Sequence, residues 1–430
     1  MFFWLAAAAS PDAPTQAGQA APTGSEIRYA ARPALPRAAK ACSPRVPVCV
    51  HFAPRDAPAA PAALAAFERT WPVLTGALAL PRPELDPMTL AHDVFLVDGE
   101  NETLLEARDV RSNVDRGRGF TLLDRRMRAG CNLDAAAATA VARASLLGVA
   151  PATEEPTARA QARYFAQLAV PCAVAYDADA FATFQSQPER PFADAGADAR
   201  FADGAAAFWS RVDWAYGRTP GAIPRATWAL HPTTTPVGAR RWMNEPDTFD
   251  VLRLSFKNAL STGSTVNDLW LDFGVARAFL GAADDGLHQP ELRTLGEAGR
   301  VPVAWDIPWP NEPRRLAPRV PVAPTGAAYL VVRRAGAKPG ARLRAEIEWE
   351  EHALFRWAFV KLDERGRELG RVVIPTQERA TEAQMTLVDL DAVDRVMLVG
   401  VNVGDPAYAF DPDDGPLEPH GWLVTIAEER

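Results

Sequence analysis

The segment DAAAATAVARASLLGVAPATEEPTARAQARYFAQL, Asp134 to Leu168, decides how the first half of the chain folds. It reads as two helices joined by a short turn. The first helix is expected from about Asp134, a residue suited to the N-cap, to Leu147. The second is expected to start near Pro156, a good first-turn residue, and to run to about Ala169. The run of small residues in AAAATAVARASLLG predicts a close-packed helix, with Leu146 and Leu147 adding apolar contact. Arg143 is the odd member of that run.

The hairpin also bears on the cysteines. The four are Cys42, Cys49, Cys131 and Cys172, and three pairings are open to them. Cys131 precedes the first helix and Cys172 follows the second, so an antiparallel hairpin sets them side by side. The favoured pairing is therefore Cys131 with Cys172 and Cys42 with Cys49. Bridged cysteines point to an oxidising compartment. The start, MFFWLAAAAS, is a short apolar run ending in small residues, like the end of a secretory signal without its basic region. Together these features predict an exported protein.

Upstream of the hairpin, VPVCVHF (residues 46–52) reads as a first strand. Leu64, Phe67, Trp71, Leu74 and Leu78 fall at helical spacing, with Pro72 expected to kink or divide that helix. Short strands are expected around Val94 to Val97 and Phe120 to Asp124, with a long polar loop from Gly99 to Gly119 between them. Downstream, apolar faces predict helices through Phe208 and Val212, through Phe249, Leu252 and Phe256 (capped near Asp247 or Thr248), and through Leu269, Phe273, Ala276 and Leu280 (capped near Ser264).

From Val301 to Gly326 seven prolines interrupt the pattern, which suits an extended linker. Beyond it the period changes to two. In ARLRAEIEWE, Leu343, Ala345, Ile347 and Trp349 share one face, and Arg342, Arg344, Glu346 and Glu348 share the other. YLVVRR, LFRWAFVKLD, GRVVIP, AQMTLVDL, RVMLVGVNV and GWLVTIA complete seven strands. Such spacing argues for an antiparallel β-sandwich. The expected organisation is a signal-like start and linker over 1–40, an α+β domain over 41–300, the proline-rich linker over 301–326 and the sandwich over 327–430.

The 430 residues are 48% apolar and 23% charged, so the chain is globular and large enough for more than one core. The net charge of −8 comes without a Lys/Arg-rich block, which argues against a nucleic-acid partner. No apolar run is long enough for a transmembrane helix.

Motifs of common chemistries are missing: G-x-S-x-G, a P-loop, a dinucleotide fingerprint, C-x-x-C and H-x-x-x-H. The six histidines, His51, His92, His231, His288, His352 and His420, are not paired at helical or strand spacing. Asp411, Asp413, Asp414 and Glu418 could offer oxygen ligands to Ca²⁺, although an Asp/Pro/Gly-rich hairpin loop explains them as well. Glu348 and Glu350 share a strand face and read as solvated charge. Trp305, Trp309, Trp349 and Trp357 could form an aromatic platform, but core packing accounts for them better.

Taken together, the element order resembles that of secreted zinc metallopeptidases of the gluzincin-like kind. These carry an H-E-x-x-H helix followed by a glutamate ligand on the next helix. The phrases that carry the resemblance are TAVARASLLG, ARAQARYFAQL and DGAAAFWSRVDWAYG. The resemblance implies an α+β fold, with a zincin-like N-terminal domain (small sheet, helix pair and helical subdomain) followed by the sandwich. Two histidines one turn apart would bind zinc there, with the intervening glutamate activating water. Aligning the phrases places Ala142 and Leu146 where the histidines would stand, Arg143 at the glutamate and Arg159 at the third ligand. No His occurs between Asp93 and Leu230, and no Glu between Pro156 and Pro188.

The resemblance thus implies a degenerate member without metal ligands or general base, hence no catalytic residue and no zinc. Its expected role is to bind a protein, a peptide or an envelope component. Two other readings stay open. One is a glycan-directed hydrolase using loop carboxylates such as Glu245, Asp247, Asp284 and Asp285. The other is a structural surface protein dominated by the sandwich.

Overall fold

The computed structural model describes residues 29–108, 115–194, 196–230, 246–258, 265–377, 379–405, 410–412 and 417–429. Its first sheet contains β1 (Ala39–Cys42), β2 (Val48–Phe52), β3 (His92–Val97), β4 (Glu102–Arg108) and β5 (Gly117–Asp124) in the order β1-β2-β3-β5-β4. The central strands β2, β3 and β5 are parallel, and both edge strands run antiparallel to their neighbours. Helix α1 (Ala60–Pro72) makes the crossover from β2 to β3. Pro72 ends the α-helix, and Val73–Ala77 continues as a single π-turn, because proline has no N–H for the ladder.

The polar segment expected as a loop between Gly99 and Gly119 instead contains β4 and the start of β5. β4 lies at the sheet edge, where Thr103 is buried, Glu102 exposed and the rest half-buried, so no alternation of apolar and polar residues marks the strand.

The hairpin consists of α2 (Cys131–Leu147) and α3 (Glu155–Ala169). Gly130 caps α2, so Asp134 sits inside the first turn, where it pairs with Arg69 of α1. Cys131 bonds Cys172 at a Cα separation of 6.1 Å, and Cys42 bonds Cys49 across the β1–β2 pair. Val48, Val50, Val94, Leu96 and Leu123 of the sheet pack with α1, α2 and one side of α3 into a first core. On the sheet's other face Phe95 and Phe120 are covered by Ala30 and Leu35 of the preceding segment, and Arg32 anchors that segment to Asp86, Asp93 and Glu106.

Among the described residues seven helices follow: α4 (Ala173–Tyr176), α5 (Ala178–Gln185), α6 (Ala199–Gly204), α7 (Ala206–Tyr216), α8 (Ala222–Leu230), α9 (Thr248–Asn258) and α10 (Val266–Arg277). The side chain of Asp247 accepts the Asp250 amide at the start of α9. Thr265, not Ser264, caps α10, and it forms a reciprocal capping box with Asp268.

Two further sheets lie among the described residues. One has the order β11 (Glu368–Ile374), β10 (Phe355–Leu362), β13 (Arg395–Asn402), β8 (Ala327–Arg333), β6 (Trp305–Pro308). The other runs β12 (Glu382–Leu387), β9 (Arg342–Trp349), β14 (Trp422–Glu429), β7 (Arg314–Leu316). All seven strands expected from the sequence are present, and β9 buries Leu343, Ala345, Ile347 and Trp349 as its alternation requires.

Within 301–326, expected to be a linker, β6 and β7 pair into the two sheets, β6 parallel to β8. Trp357 of β10 meets Trp422 of β14 edge-on at 5.6 Å between the sheets, and its ring lies where a Cβ on Gly400 would intrude to 2.3 Å. Helix α10 covers the outer face of the larger sheet: a Cβ on Gly274 would meet Val401 at 2.5 Å, and the Tyr329 hydroxyl donates to the Gly274 carbonyl at 2.7 Å. Phe184, Phe208, Trp209, Trp270 and Phe273 therefore share one continuous core with the sandwich. Ala158, Ala162 and Phe165 of α3 belong to the first core, while Ala160 and Tyr164 belong to the second.

Candidate functional site

A narrow cleft of about 40 Å³ lies beneath the edge strand β4, between it and the α2–α3 hairpin. β4 and the residue before it supply Asn101, Glu102 and Thr103; β5 supplies Thr121 and Leu123. From α2 come Ala136, Thr139, Ala140 and Arg143, at positions i, i+3, i+4 and i+7 and so on one helix face. From α3 come Glu155, Arg159 and Arg163, four apart for the same reason. Tyr176 and Asp203 close the far end.

Guanidinium–carboxylate pairs dominate this cleft. Arg143 pairs with Glu155, whose carboxylate is largely exposed, and Arg143 Nη1 is buried with no partner among the described residues. Arg159 donates to both Asp203 oxygens, at 2.9 and 3.0 Å. Arg163 reaches Asp203 at 3.2 Å, Asp177 at 3.5 Å and the Thr139 hydroxyl at 3.4 Å. Burial alone would lower the Arg163 pKa, but the charges of Asp203 and Asp177 outweigh it and keep the group protonated. Burial raises the pKa of Asp177 despite Arg163. Glu102 stands at the mouth without an ion-pair partner among the described residues, and the walls around it, with the neighbouring Glu155 carboxylate, raise its pKa.

Behind the cleft runs a chain of hydroxyls. His92 Nε2 lies 2.8 Å from Thr121 Oγ1, which lies 2.8 Å from Thr103 Oγ1. Full burial pushes His92 down to about 4, so its ring stays neutral at physiological pH. It holds the two threonines in place.

Of the residues singled out in the sequence, Arg143 and Arg159 meet in this cleft. Ala142 and Leu146 do not: both are fully buried in the helix–sheet core. Thr139, Ala140, Arg163 and Asp203, which sequence reasoning passed over, occupy the positions that face the cleft. The four-residue spacing of Glu155, Arg159 and Arg163 was the signal available for α3. Among the described residues, no group of three or more His, Cys, Asp or Glu side chains is placed to hold a metal ion.

The remaining candidates do not converge on one place. Asp284 pairs with Arg293, Asp285 accepts from His288 and from the Glu368 amide, and Asp247 is a buried cap. Glu245 lies outside the described residues. So do Asp413 and Asp414 of the acidic loop, whereas Asp411 is half-buried and Glu418 exposed. Trp309, Trp349 and Trp357 are buried, and Trp305 donates to the Ala317 carbonyl, so they form no surface platform.

No protein-family model matches the chain, and no curated protein does. Among solved structures, similarity is found to the enzymatically active domain of tailspike protein 4 of bacteriophage CBA120, at 16% identity and a TM-score of 0.18 over 27% of this chain and 15% of that one. The VP2 subviral particle of infectious bursal disease virus is similar at 8% identity and a TM-score of 0.16, over 27% of this chain and 33% of that one. At these scores neither carries an argument about fold or function.

Proposed function

We propose that the chain is a non-catalytic, exported, peptidase-like protein that binds an extended polypeptide segment in the cleft beneath β4. The observation that carries this reading is the chemistry of the cleft-facing positions. Thr139, Ala140, Arg143, Arg159 and Arg163 present a hydroxyl, a methyl and three guanidinium groups. A guanidinium has no lone pair for zinc and cannot serve as a base. The residues therefore do not fit the metal that the metallopeptidase resemblance implies, and no hydrolytic step is drawn through it.

The surroundings support binding. β4 is an edge strand, and an edge strand offers backbone donors and acceptors to an added extended chain. The outward Leu105 carbonyl already accepts the Ala30 amide at 2.8 Å, so added pairing would involve the Glu102–Leu104 end beside the cleft. The strand–helix–strand–strand–strand–helix–helix order, with an antiparallel edge strand above the helix pair, supports the peptidase-like pedigree. The two disulfides support export, and no helix among the described residues is long and apolar enough to cross a membrane.

The test has two arms. The full chain is equilibrated with zinc, dialysed and analysed for metal, and then incubated with an unfolded protein. The expected outcome is no stoichiometric zinc and no cleavage. Backbone hydrogen exchange is then followed in the presence of a peptic digest of an unrelated protein, and slowed exchange in Glu102–Leu104 is expected. Tight stoichiometric zinc with cleavage, or exchange in β4 that the peptides leave unchanged, overturns the reading.

A further inference from the structure

A second, roomier cavity of about 470 Å³ lies on the opposite flank of α3, between α7 and the 3-10 segment Pro290–Gly299. Its apolar walls are Leu168, Val174 and Leu292, the prolines Pro171 and Pro220, and the half-exposed indole of Trp214. Two carboxyl groups reach it. Asp213 is buried and accepts the Tyr164 hydroxyl at 2.6 Å and the Gly221 and Ile223 amides at 2.6 and 3.0 Å. Glu291 accepts the hydroxyl of the buried Ser210 at 2.9 Å. Every one of these donors is neutral, and neither carboxylate has an ion-pair partner among the described residues.

We propose that this cavity binds an alkylammonium group, the lysine side chain of a peptide or protein partner, with Glu291 receiving the charge. Three donors of the lining are already engaged: Tyr164 with Asp213, Ser210 with Glu291, and Gln167 with Asp177 at 2.9 Å. What remains is an acceptor at the mouth, Glu291, beside aliphatic and aromatic walls. That combination selects a ligand with N–H donors at the end of an apolar stem. A carboxylate would meet Asp213 and Glu291, two groups of its own sign, where an ammonium meets acceptors. Arg218, the cation of the lining, is exposed at the rim, and Arg211, stacked on the Trp214 ring at 4.9 Å from outside the lining, is already paired with Asp272. Burial, together with the nearby Asp284, raises the Glu291 pKa against the Ser210 hydrogen bond and the charge of Arg211. The volume falls within the range of small-ligand sites and suits one long side chain with part of its backbone.

Titrating the full chain with Nα-acetyl-lysine methylamide, read by Trp fluorescence and calorimetry, tests the proposal. Saturable binding is expected, about tenfold or more tighter than that of the norleucine analogue, which has the stem without the ammonium. Glu291→Gln should weaken the lysine probe about tenfold while leaving the melting temperature unchanged, since this side chain lies at the mouth. Trp214→Ala should also weaken it. Equal binding of the norleucine probe, preference for the arginine analogue or for methyl glucoside, absence of saturable lysine binding, or a Glu291→Gln protein that binds as before would each overturn it. None of these outcomes bears on the cleft beneath β4, so the two readings stand or fall separately.

Discussion

His288 Nε2 lies 2.9 Å from Glu368 Oε2, and this contact joins the segment after α10 to strand β11 of the sandwich. Asp285 takes the other ring nitrogen at 2.9 Å, and Phe279 stacks on the ring at 4.1 Å. Arg371 extends the network from Glu368 to Asp272, which is shared with Arg211. Burial alone would raise the Glu368 pKa, but hydrogen bonds from His288 and Arg371 prevail and hold it at about 2. A carboxyl whose folded pKa is depressed stabilises the fold above its unfolded pKa, and loses that contribution as pH falls toward the folded value. Glu368→Gln should therefore cost about 3 kcal/mol at neutral pH, and the deficit should shrink between about pH 4.5 and 2. Urea unfolding across that window measures it.

His92 titrates the fold in a different window. Its folded value of about 4 lies below the ordinary 6.5, so the unfolded chain takes up the proton first as pH falls. Stability should drop by about 3 kcal/mol from pH 6.5 to 4 on this account. His92→Gln keeps a partner for Thr121 but cannot titrate. Its unfolding free energy should be correspondingly flatter over those pH values in buffered denaturant titrations.

Arg163 is the cation shared by Asp177 and Asp203. Arg163→Ala leaves Asp177 without a cation, while Asp203 keeps Arg159, and should cost about 3 kcal/mol at pH 7. The Asp177 pKa, already raised, should climb further in this variant. Protonation then relieves the penalty as pH falls, so the deficit should be smaller at pH 5 than at pH 7. A deficit independent of pH would mean that the guanidinium acts by packing alone.

The Cys131–Cys172 bridge closes 41 residues around the hairpin. Replacing both cysteines with serine should lower unfolding free energy by about 4 kcal/mol on the chain-entropy account. Reduced wild-type protein, which loses the Cys42–Cys49 bridge as well, should unfold at a lower denaturant concentration than the variant. The Cys42–Cys49 bridge is also reduced by this treatment, so a Cys42→Ser/Cys49→Ser control separates its smaller share, about 2 kcal/mol for its short loop.

The sandwich was legible because its strands alternate, as in Leu343 to Trp349, and a period of two leaves few alternatives. The hairpin was legible from its length and from Pro156. Which face of α2 meets the cleft was not. Alanines at 135, 137, 138, 140, 142 and 144 are buried around the helix, so small residues give no stripe from which to read an orientation. That is why Ala142 and Leu146 were expected at the site that Thr139 and Ala140 face. β4 stayed hidden because its residues, mostly half-buried at the sheet edge, carry no period of two. The pairing of Arg159 and Arg163 with Asp203 depends on the approach of α6, about 40 residues on, and no local spacing records it.

The packing of α10 over Tyr329, Val399 and Val401 bears on how the chain can be divided. A fragment beginning at residue 327 would lose β6 and β7 from its sheet edges and strip the cover from an apolar sheet face. Released in that form it would be sticky and prone to self-association. The sandwich is thus no detachable module. Evolution or an engineer wishing to transplant it would have to carry the helices from α5 onward along with it.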